Sequence, residues 1–379
     1  MTGSPNPLEP ISAAELAARR RTVADDLAAR GLTGAIVSDP ANVRYLGGFA
    51  LGQPWASRTR PTVCILTPDA QLAVVTSPAV TLDDPPVDRV VTYRDPREMP
   101  AVIARTLADA GSAAAAVGAE RGHEHRVAIT LDELDETERL HGARFADAGP
   151  SLWAARMVKS AAEIDRMRAA SAVGDRVYGR LFGDELRAGE TERALARRIA
   201  QMMLEEGADE PGWVMLTAGR GSYGRLLSSP RERPLQRSEL VWFDIACRVD
   251  GYWSDHSRAA VIGAPPTAEQ VELQDRVIAA TQRGIVAVTA GATLGAVAAA
   301  AALDGESTPG RIGHGLGLGS TEPPDVVPDS TLRLLPGMVF TVEPLAVREH
   351  GMFQAEAVVA VTDDGCEVLT RAPEAISTV

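Results

Sequence analysis

The chain has 379 residues, which is long for one hydrophobic core and predicts two domains. Its net charge of −13 and its pI of about 5.0 argue against nucleic acid or an anionic membrane surface as a partner. No apolar stretch reaches the length that crosses a bilayer, so we expect no membrane-spanning helix.

The N-terminus and the cysteines favour a cytoplasmic location. The first ten residues are polar and proline-rich, without the basic and then apolar pattern of a secretory signal. Cys64, Cys247 and Cys366 lie far apart and form no CxxC pair. We interpret them as small core residues of a protein in a reducing compartment.

The first 150 residues mix helices with short strands. Ser12 and Glu15 have the spacing of a capping box and Gly31 follows as a stop, so we predict a helix over residues 12–30. Further elements are strands at GAIVSD, VCIL, LAVVTS and VVTY, and helices near residues 96–110 and 127–140. This mixture predicts an α/β domain over residues 1–150.

Gly149-Pro150 predicts a break between regular elements. We place the domain boundary there, so the second domain covers residues 151–379. Ser160 and Glu163 form a second capping box that opens a long helix. The remaining helical regions are Thr191 to Glu206, residues 267–290 and the alanine-rich residues 293–303. The rest of this domain is rich in strands.

An apolar strand, LVWFD, ends on Asp244 and is followed by DGYWSDHSR. Asp250-Gly251 between two apolar arms predicts a two-residue hairpin turn. Counting outward from that turn pairs Asp244 with Ser257, which puts Asp244 and Asp255 on one face as diagonal neighbours roughly 7–8 Å apart. The two carboxylates are therefore candidates for binding cations between them, or they are surface aspartates of an edge strand.

Three further candidates lie downstream. His314 stands in GRIGHGLGLG, where glycines let the backbone come close to whatever the histidine binds, although a structural histidine is the alternative. Glu343 ends the apolar strand PGMVFTVEP, and Glu356 lies within FQAEAVVAVTDDG. A carboxylate in an apolar strand is costly unless it is paired or metal-bound. Four carboxylates and one imidazole suit a pair of divalent ions that activate water.

These motifs occur in the order of a known family. Asp255 follows Asp244 by eleven residues in SDHSR, His314 stands in GHGLG, Glu343 in PGMVFTVEP and Glu356 in EAVVAVTDDG. In these segments the chain resembles the pita-bread metallohydrolases, peptidase family M24, which include methionine aminopeptidase, aminopeptidase P, prolidase and creatinase. NVRYLGGF and RMVKSAAEIDRMRAA resemble the creatinase and aminopeptidase P branch, so the likeness covers nearly the whole chain.

The resemblance implies an α/β (α+β) fold with a creatinase-like N-terminal domain followed by a C-terminal pita-bread domain. It implies two divalent metal ions, with Mn favoured because oxygen ligands suit hard cations, and with Fe, Co or Zn as alternatives. The implied metal ligands are Asp244, Asp255, His314, Glu343 and Glu356. It also implies a homodimer that hydrolyses a C–N (amide) bond, with Glu343 and His314 as catalytic residues and Glu343 as the proton relay.

The chain departs from the family on the substrate side. No histidine stands in GRLLSSPRERPLQRSELV before the first aspartate, and Thr321 in STEPP replaces a second histidine. Gln354 replaces a common arginine, and Ala246 replaces a glycine. Losing one oxyanion donor typically costs about 2.7–4 kcal/mol of transition-state stabilisation. Either other groups replace these donors or the substrate differs.

Several residues are candidate substrate contacts in place of the missing histidines. His256 and His350 are replacement proton donors or packing histidines. Arg220 and Tyr223 in GRGSYGR face the substrate or form an exposed loop, and Thr321 completes the set. The GxGxxG spacing in the same segment is rejected as a dinucleotide motif, because prolines and not a helix follow it.

Three functions follow from this pattern. The first is an Xaa-Pro aminopeptidase or dipeptidase that acts on short peptides. The second is a specialised hydrolase or lyase of a small non-peptide molecule, like the creatine or ectoine hydrolases. The third is a non-catalytic binding protein, against which the retained metal ligands argue.

Overall fold

A computed structural model describes residues 8–51, 59–82, 85–112, 116–306 and 310–379. The chain divides into two compact units, residues 1–156 and 157–379. The boundary predicted at Gly149-Pro150 lies close to this division. At Gly149 the chain begins a helix, Gly149–Met157, because proline is compatible with the first turn of a helix.

One mixed sheet organises the N-terminal unit, with strand order β4-β3-β2-β1-β5-β6. The strands are β1 (Ala35–Val37), β2 (Val63–Leu66), β3 (Leu72–Thr76), β4 (Arg89–Thr92), β5 (Val117–Ala119) and β6 (Phe145–Asp147). Its helices are α1 (Ala13–Ala29), α2 (Pro40–Gly47), α3 (Met99–Asp109), α4 (Leu131–His141) and α5 (Gly149–Met157). β1 runs parallel to β5, as expected of an α/β domain.

The local signals explain most of these elements. The Ser12 hydroxyl accepts a hydrogen bond from Glu15 N, and α1 ends before Gly31, whose φ is 78°. Helix α2 was not predicted from the sequence. Asp39 caps this helix and Pro40 is its first residue. An aspartate followed by a proline is a helix start signal, and it lies just before the NVRYLGGF segment.

The C-terminal unit contains two larger sheets and a short hairpin. Its helices are α6 (Ala161–Arg180), α7 (Glu192–Glu205), α8 (Ala268–Val286) and α9 (Leu294–Ala300). One sheet has the order β18-β10-β8-β7 with β9 paired to β8, the second has the order β12-β11-β13-β16-β17, and β14 pairs with β15. None of the described helices is long and apolar enough to span a membrane.

The strands of the first sheet are β7 (Glu210–Ala218), β8 (Leu240–Val249), β9 (Tyr252–Trp253), β10 (His256–Val261) and β18 (Ser377–Thr378). Those of the second are β11 (His314–Gly315), β12 (Glu322–Asp325), β13 (Val339–Val342), β16 (Ala357–Val361) and β17 (Cys366–Val368). The short hairpin consists of β14 (Leu345–Arg348) and β15 (Gly351–Gln354). A single π-helical turn, Leu181–Glu185, follows α6.

The predicted hairpin is confirmed. Asp250 and Gly251 both have positive φ, 46° and 81°, as a type I′ turn requires. Val249 pairs with Tyr252, and the same register continues beyond β9, where Asp244 pairs with Ser257. The turn therefore fixes the face on which both aspartates lie.

Candidate metal centre

The second unit brings the five predicted ligands together from neighbouring strands. Asp244 lies within β8, Asp255 directly before β10, His314 begins β11, Glu343 follows β13 and Glu356 directly precedes β16. Potential ligand atoms of Asp255, His314 and Glu356 all lie within 4.8 Å of one another. His314 Nε2 is 3.5 Å from Asp255 Oδ2 and 3.6 Å from Glu343 Oε1.

The ring of His314 is oriented by the backbone. Its Nδ1 lies 3.0 Å from Gly315 O. Because a carbonyl oxygen can only accept, we assign the proton to Nδ1, which leaves the lone pair on Nε2. That lone pair faces the carboxylates of Asp255 and Glu343, which is the arrangement of a histidine that shares a cation with them.

Two of the buried carboxylates, Asp255 and Glu356, each have one oxygen that no donor from the described part of the chain reaches. Asp255 is 3% exposed and Glu356 is 1% exposed. Among the described residues, no hydrogen-bond donor reaches Asp255 Oδ1 or Glu356 Oε1. A buried charge left this way costs several kcal/mol unless a cation or a proton compensates it. The donor set and these two oxygens therefore fit divalent cations, which the resemblance to family M24 implies.

The electrostatics of the protein without ions lead to the same conclusion. Burial raises the pKa of Asp244 to about 7, and repulsion from Glu343 adds to this. Burial, followed by repulsion from neighbouring carboxylates, raises the pKa of Asp255 and of Glu356 well above the usual range. Without cations the protonated forms of these groups are favoured, because several negative charges in one buried site repel one another.

Glycines bring the strands of the site close together. A Cβ atom on Gly313 would lie 2.0 Å from Thr341 O, and one on Gly315 would lie 2.5 Å from Pro323 O. Gly313 and Gly315 therefore permit close strand packing. The close approach of a bound group to this backbone stays a prediction.

Three residues of the site were missed by sequence reasoning. Thr341 Oγ1 accepts from His314 N and donates to Glu343 Oε1 at 3.3 Å, and Ser257 Oγ donates to Glu356 Oε2 at 2.9 Å. The hairpin count had already placed Ser257 opposite Asp244, so its position was predictable. Trp213 Nε1 donates to Asp244 Oδ1 at 2.9 Å.

A cavity of about 610 Å³ opens onto this cluster. Such a volume is typical of a small-ligand site. Its polar lining includes Ser228, Ser229, Asp244, Asp255, Glu306, Arg311, His314, Ser320, Thr321, Glu343 and Gln354. Its apolar lining includes Trp213, Val214, Met215, Leu226, Leu227, Pro230, Trp242, Ala301, Leu303, Ile312, Pro344 and Leu345. Thr321, a predicted substrate contact, lies in this wall.

The other predicted substrate contacts do not line the cavity. Arg220 is exposed and forms a bidentate ion pair with Glu349, with both N···O distances at 2.8 Å. Tyr223 is 2% exposed, and its hydroxyl donates to Leu240 O and accepts from Gly219 N. Tyr223 fixes its own loop, so the prediction that it faces a substrate is corrected.

The positions of the two extra histidines favour the alternative that they are packing histidines. His256 is fully buried and its Nε2 lies 3.3 Å from Asp175 Oδ1. Because side chains alternate along a strand, the neighbour of Asp255 points to the opposite face. His350 Nε2 lies 3.7 Å from Glu269 Oε1, outside the cavity wall. Neither histidine replaces the missing donors.

The fold and the cluster define a class: a two-domain protein whose C-terminal unit holds buried carboxylates and an imidazole suited to divalent cations. Residues 165–363 match the sequence pattern described as metallopeptidase family M24. Residues 19–158 match the creatinase/prolidase N-terminal domain. The chain therefore belongs to metallopeptidase family M24, and it is a metal-dependent hydrolase of the creatinase and prolidase type.

Similar proteins carry peptidase names. An uncharacterised peptidase of Staphylococcus saprophyticus is 30% identical over 250 residues, 64% of this chain and 71% of that protein. The probable dipeptidase PepE of Mycobacterium tuberculosis is 34% identical over 231 residues. The match covers 58% of this chain and 60% of the length of that dipeptidase. The crystal structure of dipeptidase PepE from Mycobacterium ulcerans has a TM-score of 0.83 and 26% identity, covering 98% of this chain and 100% of that one.

Proposed function

We propose that the protein hydrolyses dipeptides, Xaa-Pro dipeptides among them, as a cytoplasmic homodimer with two divalent ions per chain. The observation that carries this proposal is a set of buried carboxylates at the wall of a cavity of about 610 Å³, two of which have an oxygen that no donor from the described residues reaches. The dipeptidase names of similar proteins support the substrate class. The family resemblance supports the dimer.

The proposed ligands are Asp244, Asp255, His314, Glu343 and Glu356. Four carboxylates balance the charge of two divalent ions, and their oxygens favour a hard cation such as Mn²⁺, with Fe, Co or Zn as alternatives. When bound, such ions supply a Lewis acid for the scissile carbonyl and lower the pKa of water. Every other step is assigned to side chains of this chain.

Glu343 is placed to move the proton. Its side chain is half-buried and lines the cavity, so a substrate and a water molecule can reach it. Thr341 Oγ1 donates to its Oε1, and the Gln354 amide donates to its Oε2 at 3.2 Å. Held by both donors, the carboxylate takes a proton from the attacking water and delivers it to the leaving nitrogen.

Hydroxyl groups take the place of the missing histidines. The segment without a histidine before β8 contributes Ser228 and Ser229 to the cavity wall, and Ser320 and Thr321 line it elsewhere. A hydroxyl is a rotatable donor, so it can follow charge as it develops on the carbonyl oxygen. We assign oxyanion stabilisation to this group, with Thr321 as its first candidate.

The apolar wall suits the side chains of a short peptide. Trp213, Met215 and Trp242 line the cavity beside Asp244, and Leu303 and Leu345 line it elsewhere. Burying an apolar side chain there contributes about 25 cal/mol per Å² removed from water. The cavity therefore favours dipeptides with apolar residues over strongly polar ones.

A second candidate is hydrolysis of a C–N bond in a small non-peptide molecule. The observation that favours it is the composition of the cavity wall, where His314 is the single histidine among the described lining residues. A site that lacks the usual imidazole donors is compatible with a substrate other than a peptide.

The test is hydrolysis by protein that has been stripped with a chelator and reloaded with Mn²⁺. Alanyl-proline, leucyl-proline, leucyl-alanine and a tripeptide form the panel, and metal content is measured on the same samples. We expect metal-dependent turnover of dipeptides and at least tenfold lower kcat/KM for the tripeptide. Protein that carries two ions per chain and cleaves no peptide contradicts the proposal and favours the second candidate.

A further inference from the structure

The charges that line the cavity are unevenly distributed. Four carboxylates face it, those of Asp244, Asp255, Glu306 and Glu343. Arg311 is the single arginine or lysine among the described lining residues. We propose that Arg311 binds the free α-carboxylate of the dipeptide and so restricts the enzyme to substrates of that length. The inference rests on the proposed peptide hydrolysis and assigns its substrate anchor.

The position of Arg311 suits an anchor at the far end of a dipeptide. It precedes His314 by three residues, so their Cα atoms lie at most about 10–11 Å apart. The scissile carbonyl of a dipeptide is one residue away from its C-terminal carboxylate, about 3.3–3.6 Å when extended, and the long arginine side chain spans part of the remaining distance. A dipeptide whose scissile carbonyl lies at the carboxylate cluster can therefore bring its C-terminus to the guanidinium.

The guanidinium has donors left for a second carboxylate. Arg311 Nη1 donates to Asp325 Oδ1 at 2.7 Å, and this bond uses one of five N–H groups. The Asp325 side chain is 43% exposed, so solvent screens its charge and the pair is weak. Arginine is the residue best suited to bidentate binding of a carboxylate.

The other groups of the wall do not offer this charge. Glu306 forms an ion pair with Arg348, which is not among the described lining residues. The Gln354 amide is bound to Glu343, and the serine and threonine hydroxyls are neutral. With the four proposed ligand carboxylates balanced by two divalent ions, an entering carboxylate finds its cationic partner at Arg311.

The experiment compares leucyl-proline with its C-terminal amide on Mn²⁺-loaded protein. For the wild type we expect kcat/KM to be at least tenfold higher for the free acid than for the amide. Arg311→Gln is expected to lower kcat/KM for the acid by about 10- to 100-fold, mainly through a higher KM. It should change kcat/KM for the amide less than threefold. Arg311→Lys should be intermediate, since it keeps the charge and loses the fork.

Arg193→Gln is the matched control. Arg193 Nη1 forms an ion pair with Glu232 Oε1 at 3.1 Å, and Arg193 is not among the residues that line the cavity. We therefore expect Arg193→Gln to leave kcat/KM unchanged for both the acid and the amide. The proposal that Arg311 binds the α-carboxylate is overturned if Arg311→Gln loses acid and amide hydrolysis equally. It is also overturned if the wild type does not prefer the acid over the amide. Melting temperatures identify a variant that fails to fold, and Arg311→Lys then carries the comparison.

A binding measurement separates this inference from the proposed reaction. If the Mn²⁺-loaded protein hydrolyses no dipeptide, the proposed function fails, and calorimetric titration with the same two compounds still tests the anchor. The free acid should bind at least tenfold more tightly than the amide, and Arg311→Gln should remove the difference. Equal affinities for acid and amide in the wild type overturn the inference.

Discussion

The two units solve the same physical problem, a buried carboxylate, in opposite ways. In the N-terminal unit Glu120 is 3% exposed. Its Oε2 accepts from Ser38 N at 2.7 Å, from Ser38 Oγ and from Asp39 N at 2.9 Å, and its Oε1 accepts from Asn42 Nδ2 at 2.7 Å. In the C-terminal unit, among the residues described, Asp255 Oδ1 and Glu356 Oε1 have no donor.

This difference distinguishes a structural carboxylate from the carboxylates that we propose as metal ligands. Glu120 connects the ends of β1 and β5, and its donors come from the protein itself. Burial raises the pKa of Glu120 to about 7, and burial also raises the pKa of Asp244 to about 7. A raised pKa is thus common to both regions, and the orphaned oxygens set the metal centre apart.

The largest expected effect comes from Glu356→Gln. The amide keeps the shape of the side chain and removes a negative charge from the centre, so we expect metal content to fall. Activity should fall on the order of 10³-fold in kcat/KM, since the Lewis acid contributes several kcal/mol. Metal analysis and steady-state kinetics on the same preparation check this.

Glu120→Gln is the matched control for that substitution. The amide cannot accept all the hydrogen bonds that Glu120 accepts, so we expect a loss of about 1–3 kcal/mol in the free energy of unfolding. Metal content and kcat should stay within about twofold of the wild type. Loss of metal in Glu120→Gln, or full metal retention in Glu356→Gln, breaks the distinction between the two regions.

Removal of the metal should destabilise the protein in a pH-dependent way. The folded-state pKa of Asp244 is raised to about 7 from an ordinary value near 3.8, so the metal-free folded protein takes up protons between these values. The stability that Asp244 contributes is therefore fully present below pH 3.8 and is lost as pH rises through about 7. Bound ions replace those protons, so the gain in melting temperature from Mn²⁺ should increase with pH.

At pH 8 and 100 times the dissociation constant, we expect Mn²⁺ to raise the melting temperature by about 5–10 °C. At pH 5.5 the gain should be clearly smaller. The contribution of Glu120 to the pH dependence is present with and without ions, so it cancels in the difference. Thermal melts in chelated and reloaded protein at both pH values test this, and an equal gain at both would count against it.

Trp213→Phe is expected to have an intermediate effect. It removes the N–H donated to Asp244 and keeps an aromatic ring against Trp253, whose ring centroid is 5.3 Å away. A hydrogen bond to a charged group contributes about 1.5–3 kcal/mol, so we expect about tenfold lower kcat and weaker metal binding. Trp253→Phe, which leaves that bond intact, should change kcat less than threefold. Equal effects of the two would assign Trp213 to packing alone.

The smallest expected effect comes from Arg220→Gln. Arg220 and Glu349 have side chains that are 74% and 63% exposed, and such pairs contribute little to stability. We expect kcat/KM within about twofold of the wild type and a nearly unchanged melting temperature. A tenfold loss of activity would restore the prediction that this arginine contacts the substrate.

Much of the centre could be predicted because short-range rules fix it. The Asp-Gly turn sets the register of β8 and β10, and that register places Asp244, Asp255 and Ser257 on one face. The same alternation places His256 on the opposite face, so its exclusion from the cavity was also predictable. Arg220 lies in an irregular loop, where no periodicity gives a direction.

Trp213 could not be predicted for a different reason. The register between β7 and β8 shifts between Pro211 and Val214, so counting along β7 does not give the partner of Trp213. Arg311 was not singled out either, because its position in the cavity depends on the packing of several segments. The sequence therefore predicts ligands carried by regular strands better than it predicts the residues around them.

The central claim is that two divalent ions in each chain are bound by His314 and four carboxylates, those of Asp244, Asp255, Glu343 and Glu356. Isothermal titration of chelator-treated protein with Mn²⁺, in two buffers that differ in ionisation enthalpy, tests it most directly. We expect about two ions per chain, protons released on binding, and loss of at least one site in Asp255→Asn. An absence of Mn²⁺ binding, or full binding that Asp255→Asn leaves unchanged, would contradict the account.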